Sequence, residues 1–189
     1  MSPKFIAAIV ASIALSVTGG TFALAQMAAE KTVQVGGAPM YPSKTIVQNA
    51  IHSKDHTTLV TAVKAAGLVD TLSSPGPFTV FAPTNAAFGK LPPGTVEALV
   101  KPENKGTLTK VLTYHVVPGR LSAMDLQAKV KAGGGKAKLK TAQGETLTVA
   151  AKDGAVWLTD AKGGMSKVTI ANVYQSNGVI HVVDTVLMP

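Results

Sequence analysis

Cysteine is absent from this chain of 189 residues. Its absence excludes a disulfide framework, a thiolate nucleophile and any Cys-ligated zinc or iron–sulfur centre. Arginine is nearly absent too: 17 of the 18 basic residues are Lys, and the single arginine is Arg120. Reading of phosphates and guanine edges leans on the bidentate guanidinium, so a sequence-specific nucleic-acid binder is not expected. Acids are scarce, 10 against 18 bases, for a net charge of +8. Charged residues make up only 15%, below the usual quarter, and apolar residues 46%, a balance that excludes an intrinsically disordered chain. Aromatics are 5%, with one Trp, so the core must be aliphatic. The 23 valines suit strands.

Long hydrophobic runs are also missing, save one near the start. Lys4 precedes an apolar run over 5–17, Gly19 and Gly20 break it, and Ala23-Leu24-Ala25 has the form of a signal-peptidase site. The run is too short for a membrane span, which needs about 20 residues. Residues 1–25 are therefore expected to be a secretory signal, leaving 164 residues with a net charge of +7 and no membrane span. The expected location is secreted or periplasmic.

Residues 26–42 read as a flexible tether, punctuated by Gly36-Gly37, Pro39 and Pro42. From 43 to about 131 the spacing is helical. Ser43 is a candidate cap for Ile46, Val47, Ala50 and Ile51. Asp55 is a candidate cap for a second helix that buries Leu59, Val60 and Val63 and stops at Gly67. Residues 78–82 (FTVFA) alternate as a strand, and Thr84 caps a short helix that Pro92-Pro93 ends. Asn104 opens a helix with Leu108, Val111, Leu112 and His115 on one face, and Ser122 to Asp125 form a capping box. From 136 onward the period is two. Asp153-Gly154 and Asn177-Gly178 both carry the type I′ hairpin signature. Helices first and hairpins later predict one α+β domain over 43–189.

Three segments carry a resemblance. FTVFAPTNAAF (Phe78–Phe88), TYHVVPG (Thr113–Gly119) and NGVIHVVDTVLMP (Asn177–Pro189) resemble, in order and spacing, the two boxes and the Tyr-His segment of the fasciclin domain. The chain is most similar to single-domain bacterial secreted members. The resemblance implies a wedge, a twisted and mostly antiparallel sheet with an N-terminal helical layer, used in adhesion to cell-surface or matrix polymers. It also draws attention to Tyr114 and His115, since the Tyr-His segment of animal members is implicated in integrin binding. His115 lies on the apolar face of its helix, so a buried, hydrogen-bonded role competes with recognition. The animal integrin motif also carries an Asp-Ile pair before the last box. Asn172 and Val173 stand there, without the carboxylate.

Chemistry of other kinds finds little support. His52 and His56 are four apart, but a helix break falls between them, so no metal site is expected. His181 and Asp184, three apart on a strand, point to opposite faces. There is no G-x-S-x-G, and Gly133-Gly134-Gly135 follows a helix rather than a strand, so neither an elbow serine nor a phosphate cradle is present. The chain is expected to be neither an enzyme nor a cofactor carrier. What stands out is lysine: Lys129, Lys131, Lys136, Lys138 and Lys140 within a dozen residues. On a strand, Lys136, Lys138 and Lys140 share one face. Two readings stay open, a solvated edge that resists aggregation and a strip that binds acidic polysaccharide or a surface protein. A non-adhesive periplasmic structural or stress-related role, and a small-ligand pocket between sheet and helices, are the alternatives. Export itself is checked by intact mass: the secreted protein should begin at Gln26, and retention of Phe5 to Val17 would refute the signal assignment.

Overall fold

The structure, a computed structural model, describes residues 30–189. The expected signal segment and its expected cleavage site lie outside them. The chain runs through β1 (Val33–Val35), β2 (Ala38–Met40), α1 (Ile46–Ala50), α2 (Thr57–Ala66), α3 (Val69–Ser73), β3 (Phe78–Pro83), α4 (Asn85–Gly89), α5 (Thr95–Leu99), α6 (Lys105–Tyr114), β4 (Val116–Pro118) and α7 (Ala123–Ala132). Five strands follow: β5 (Lys136–Lys140), β6 (Thr146–Lys152), β7 (Ala155–Thr159), β8 (Met165–Gln175) and β9 (Gly178–Val183). Seven strands form one sheet in the order β4-β3-β9-β8-β7-β6-β5. Only β3 and β9 are parallel, Phe78 beside Gly178 through Pro83 beside Val183; every other pair is antiparallel. This is the α+β architecture the periodicities predict, and the mostly antiparallel sheet under an N-terminal helical layer is what the resemblance implies.

Two apolar clusters lie on opposite faces of the central strands. On one face Val80, Ala82, Ile180 and Val182 pack against Leu59, Val63, Leu108 and Val111 of the helices. On the other, Phe81 and Val183 meet Tyr114, Leu126 and Val130 of α7, and the inward residues of the hairpin strands, among them Leu139, Leu147, Val149 and Leu158. The alternation read in 78–82 is therefore real, but both faces are buried, as parallel strands require.

The tether expected over 26–42 is corrected where it is described. Gly36 and Gly37, both at positive φ (59° and 75°), turn β1 back onto β2, with Val35, Ala38 and Met40 buried against the helical cluster. Two strands of three residues are too short to show a period. Caps also moved. Thr45, not Ser43, closes the capping box of α1 with Gln48. Asp55 caps nothing; Asn85 reaches across from α4, accepting from the Thr58 N–H at 3.0 Å and donating to Lys54 O at 2.8 Å. Asn104 donates backward to Ala98 O instead of capping α6, and α5 has no counterpart in the sequence reading. Thr84 and the Ser122–Asp125 box cap α4 and α7 as predicted.

Of the two hairpin signals, one is a type I′ turn: Asp153 and Gly154 sit at φ 53° and 73°. The other is not. The β8–β9 turn is Ser176-Asn177, and neither Asn177 nor Gly178 has positive φ. Asn177 is instead a buried cross-link. Its Oδ1 accepts from the Ile46 N–H at 3.0 Å, and its Nδ2 donates to Leu72 O and Ser74 O at 2.8 and 3.0 Å. Gly178 is needed because a Cβ there would drive into the carbonyl of Phe78 on the adjoining parallel strand. Asn177→Ala strands three backbone groups of α1 and α3, so denaturant unfolding should show a loss of about 3 kcal/mol.

His115, just past the end of α6, is fully buried and held on both sides. Its Nδ1 lies 2.8 Å from Val111 O, and its Nε2 accepts from the Leu187 N–H at 3.0 Å. Only the neutral ring with hydrogen on Nδ1 satisfies both. Burial lowers its pKa to about 4, against about 6.5 in an unfolded chain. A folded pKa below the unfolded one gives full stability above pH 6.5, lost as pH falls toward 4. Burial lowers His56 and His181 in the same direction. Urea unfolding should therefore show roughly 2 kcal/mol less stability at pH 5 than at pH 7.5 from His115 alone, above the range where carboxylates protonate. In His115→Ala that pH dependence should shrink.

Candidate functional site: a lysine-rich sheet edge

The structure removes Tyr114 and His115 from any interaction surface. Tyr114 is fully buried; its hydroxyl donates to Thr146 O at 3.0 Å and accepts from the Ala161 N–H at 3.1 Å, and burial pushes its pKa up. These bonds tie the end of α6 to β6 and to the loop after β7. His115 ties the same helix end to the C-terminal segment, whose next residue, Met188, donates to the buried Asp160 carboxylate at 3.0 Å. A partner could reach neither ring without opening the fold. Of the two readings of His115, the buried, hydrogen-bonded one holds, and the interaction role considered for Tyr114 and His115 is corrected to a structural one.

The other histidines are also accounted for. His181 stacks on Phe81 with centroids 5.7 Å apart, its Nε2 2.8 Å from Leu121 O. Asn172, in a β8 bulge with φ 61°, donates its N–H to His181 Nδ1 and accepts from Ala123 N–H at the start of α7. The residue in the place of the animal motif's acid is thus a brace for a helix. His56 is buried against Ser53, whereas His52 is exposed. Among the described residues no three His, Asp or Glu side chains gather as metal ligands.

The lysines are where the surface has a distinctive shape. β5 is an edge strand, and its turn toward β6 reaches the opposite edge of the sheet, where the Ala142 N–H donates to Val116 O of β4 at 2.7 Å. α7 packs Leu126 and Val130 behind this seam. Along the seam lies an open depression of about 520 Å³, floored by Val117, Leu121 and Leu139 and bordered by Lys129, Lys138 and Lys140. Lys136 and Lys131 are exposed nearby, outside the depression. The one ion pair among the described residues is Lys90–Asp184 at 3.7 Å, so these five ammonium groups have no carboxylate partner. Lys129 and Lys131 also sit in the last turn of α7, where a helix dipole favours positive charge.

Sequence reasoning missed Lys152 and Lys167. Cross-strand register puts both on the same outer face of the sheet as Lys136, Lys138 and Lys140, with Trp157 among them. The alternation of Val156 and Leu158 against Trp157 was the available signal. A second open depression, about 470 Å³, contains Arg120, but its guanidinium already donates to Gln175 O and Ser176 O, both at 3.1 Å. Among the described residues, one apolar cavity between sheet and helices is about 20 Å³ and another among α1, α2 and α3 about 30 Å³, each room for a water and far below a small-molecule site.

Comparison with known proteins agrees with the fold. The chain is 49% identical over 170 residues to Protein sll1483 of Synechocystis sp., covering 89% of this chain and 87% of that protein. It is 33% identical over 171 residues to the cell surface glycolipoprotein MPB83 of Mycobacterium bovis, covering 87% and 70%. Among solved structures it superposes on a FAS1 domain pair from the insect cell adhesion molecule Fasciclin I, with a TM-score of 0.71 and 19% identity, over 79% of this chain and 52% of that one. The fasciclin domain family matches residues 54–189, which is most of the described chain. With the fold, the three motif segments and these relatives in agreement, the chain belongs to the fasciclin domain family.

Proposed function

We propose that this fasciclin domain is an exported surface-interaction module that binds acidic polymers of a cell surface or matrix through its lysine-rich edge. The observation that carries the reading is the seam depression, where Lys129, Lys138 and Lys140 border an apolar floor without a balancing acid. Ammonium groups on flexible stems suit a diffuse polyanion, because they demand no fixed donor geometry. An apolar floor adds contact for the carbon skeleton of such a polymer. The relatives point the same way, one being named a cell surface protein and another a cell adhesion molecule. The two interior apolar cavities described above are too small to favour the small-ligand alternative.

The test is a salt titration on an immobilised acidic glycan. Exposed charge contacts are screened over about 8 Å at physiological salt, so binding should weaken steadily as salt rises. Replacing Lys136, Lys138 and Lys140 together by Gln should remove most of the binding, with stability moving by about 0.5 kcal/mol or less per site. Equal binding by wild type and variant would leave these residues as a solvated edge that blocks strand addition.

A further inference from the structure

The only tryptophan of the chain, Trp157, stands in the middle of the outer face of the hairpin strands. The register there is explicit. Lys136 lies opposite Ala150, Ala150 opposite Trp157, and Trp157 opposite Lys167, one transverse row across β5, β6, β7 and β8. The neighbouring row is Lys138, Thr148, Thr159 and Met165. On the other side of Trp157 comes the pair Lys152 and Ala155. Directly opposed residues share a face, and the alternate positions Leu139, Leu147, Val149 and Leu158 are the buried ones, so both rows face outward. No outward position in these rows is acidic; Glu145 and Asp153 stand only at the ends of β6.

We propose that this face is a glycan platform, on which one sugar unit of an anionic polysaccharide stacks against Trp157 while flanking lysines hold its carboxylate or sulfate groups. It rests on the polyanion reading above and adds the sugar as the recognised chemistry. Three features fit. Trp157 is half-buried, packed beside the small Ala150, so it offers a fixed surface at little entropic cost. The Lys167 ammonium lies over the ring, 5.9 Å from its centroid; its flexible stem lets it swing aside to admit a sugar and flank it with positive charge. From β5 to β8 the row spans three strand spacings, about 14 Å, the reach of a short run of sugars. Thr148 and Thr159 add hydroxyls in the next row. Single-stranded nucleic acid is less suited, since its binders stack successive bases on several aromatics and this face has one.

Because Trp157 is the sole tryptophan, its fluorescence reports this place alone. Titrating the purified protein with polygalacturonate at low salt should change the emission saturably, added salt should reverse the change, and neutral dextran should produce none. Trp157→Ala, checked for folding by circular dichroism, should bind immobilised polygalacturonate on the order of tenfold more weakly. Trp157→Phe should retain part of that loss. If wild type binds polygalacturonate with unchanged emission and Trp157→Ala binds equally well, the platform is overturned while the lysine edge stands. A larger emission change with a single-stranded oligonucleotide than with polygalacturonate would overturn the glycan assignment. No binding of either polyanion would remove both readings.

Discussion

Two strands lying parallel in the middle of a sheet must be covered on both faces, and nearly everything in this domain answers to that need. β3 and β9 pair over six residues each, and only Phe78 among the twelve escapes full burial. Parallel neighbours cannot be joined by a tight turn, so a long crossover is unavoidable. Here it holds α4 to α7 and five strands, and it is used as the covering material. The helices take one face. The hairpin strands curl back to enclose the other, and α7 fills the gap behind their edge. Even the polar groups follow from this constraint. Thr79, sealed in β3, bonds Gly119 and Leu121, while His181 in β9 stacks on Phe81 and reaches Leu121. Unbonded, each would carry a desolvation penalty with nothing to offset it.

What could be read from the sequence divides along the range of the interactions. Most caps and turns decided within four residues came out correctly: Thr84 on Ala87, Ser122 on Asp125, Asp153-Gly154 at its hairpin; the equally local Thr45–Gln48 box was misplaced onto Ser43. Those decided by distant partners did not. Asn177-Gly178 has the local signature of a turn, yet its amide cross-links α1 and α3, more than 100 positions away, and its glycine makes room for β3. Asn85 caps a helix 27 residues upstream. The β1–β2 hairpin is stable only because Val35 and Met40 find the helical cluster, a fact no local window contains. The lysine edge was half legible. Spacing put three lysines on one face of a strand, but only sheet order made that strand an edge and brought Lys129 beside it.

The shortage of acids has its clearest consequence on the surface. With one ion pair among the described residues, nearly all the lysines there are free of a carboxylate partner. They contribute little to stability, because exposed pairs are worth at most about 1 kcal/mol even where they form. Their arrangement is therefore free of structural duty over most of β5 to β8. A bare edge strand invites pairing with another chain, and charged side chains are a standard defence. That duty accounts for Lys136, Lys138 and Lys140. It does not account for Lys152 and Lys167, which belong to strands paired on both sides.

The three segments that identify the family face inward. Phe78–Pro83 and Gly178–Val183 form the buried strand pair, Thr84 and Asn85 hold corners, Tyr114 and His115 lock the end of α6, and Asn177 cross-links helices. Likeness in these segments thus records how the wedge is built and says little about what it touches. The outward rows from Lys136 to Lys167 fall wholly between the second and third segments, on a face that the packing leaves unconstrained. A face free of packing duty can vary its chemistry without disturbing the interior. Here it carries five lysines, threonines and the chain's one tryptophan on a sheet whose opposite side packs Leu139, Leu147, Val149 and Leu158 into the core. Such backing lowers the ordering cost of binding, so even a shallow surface of this kind can hold a repetitive polymer through many weak contacts.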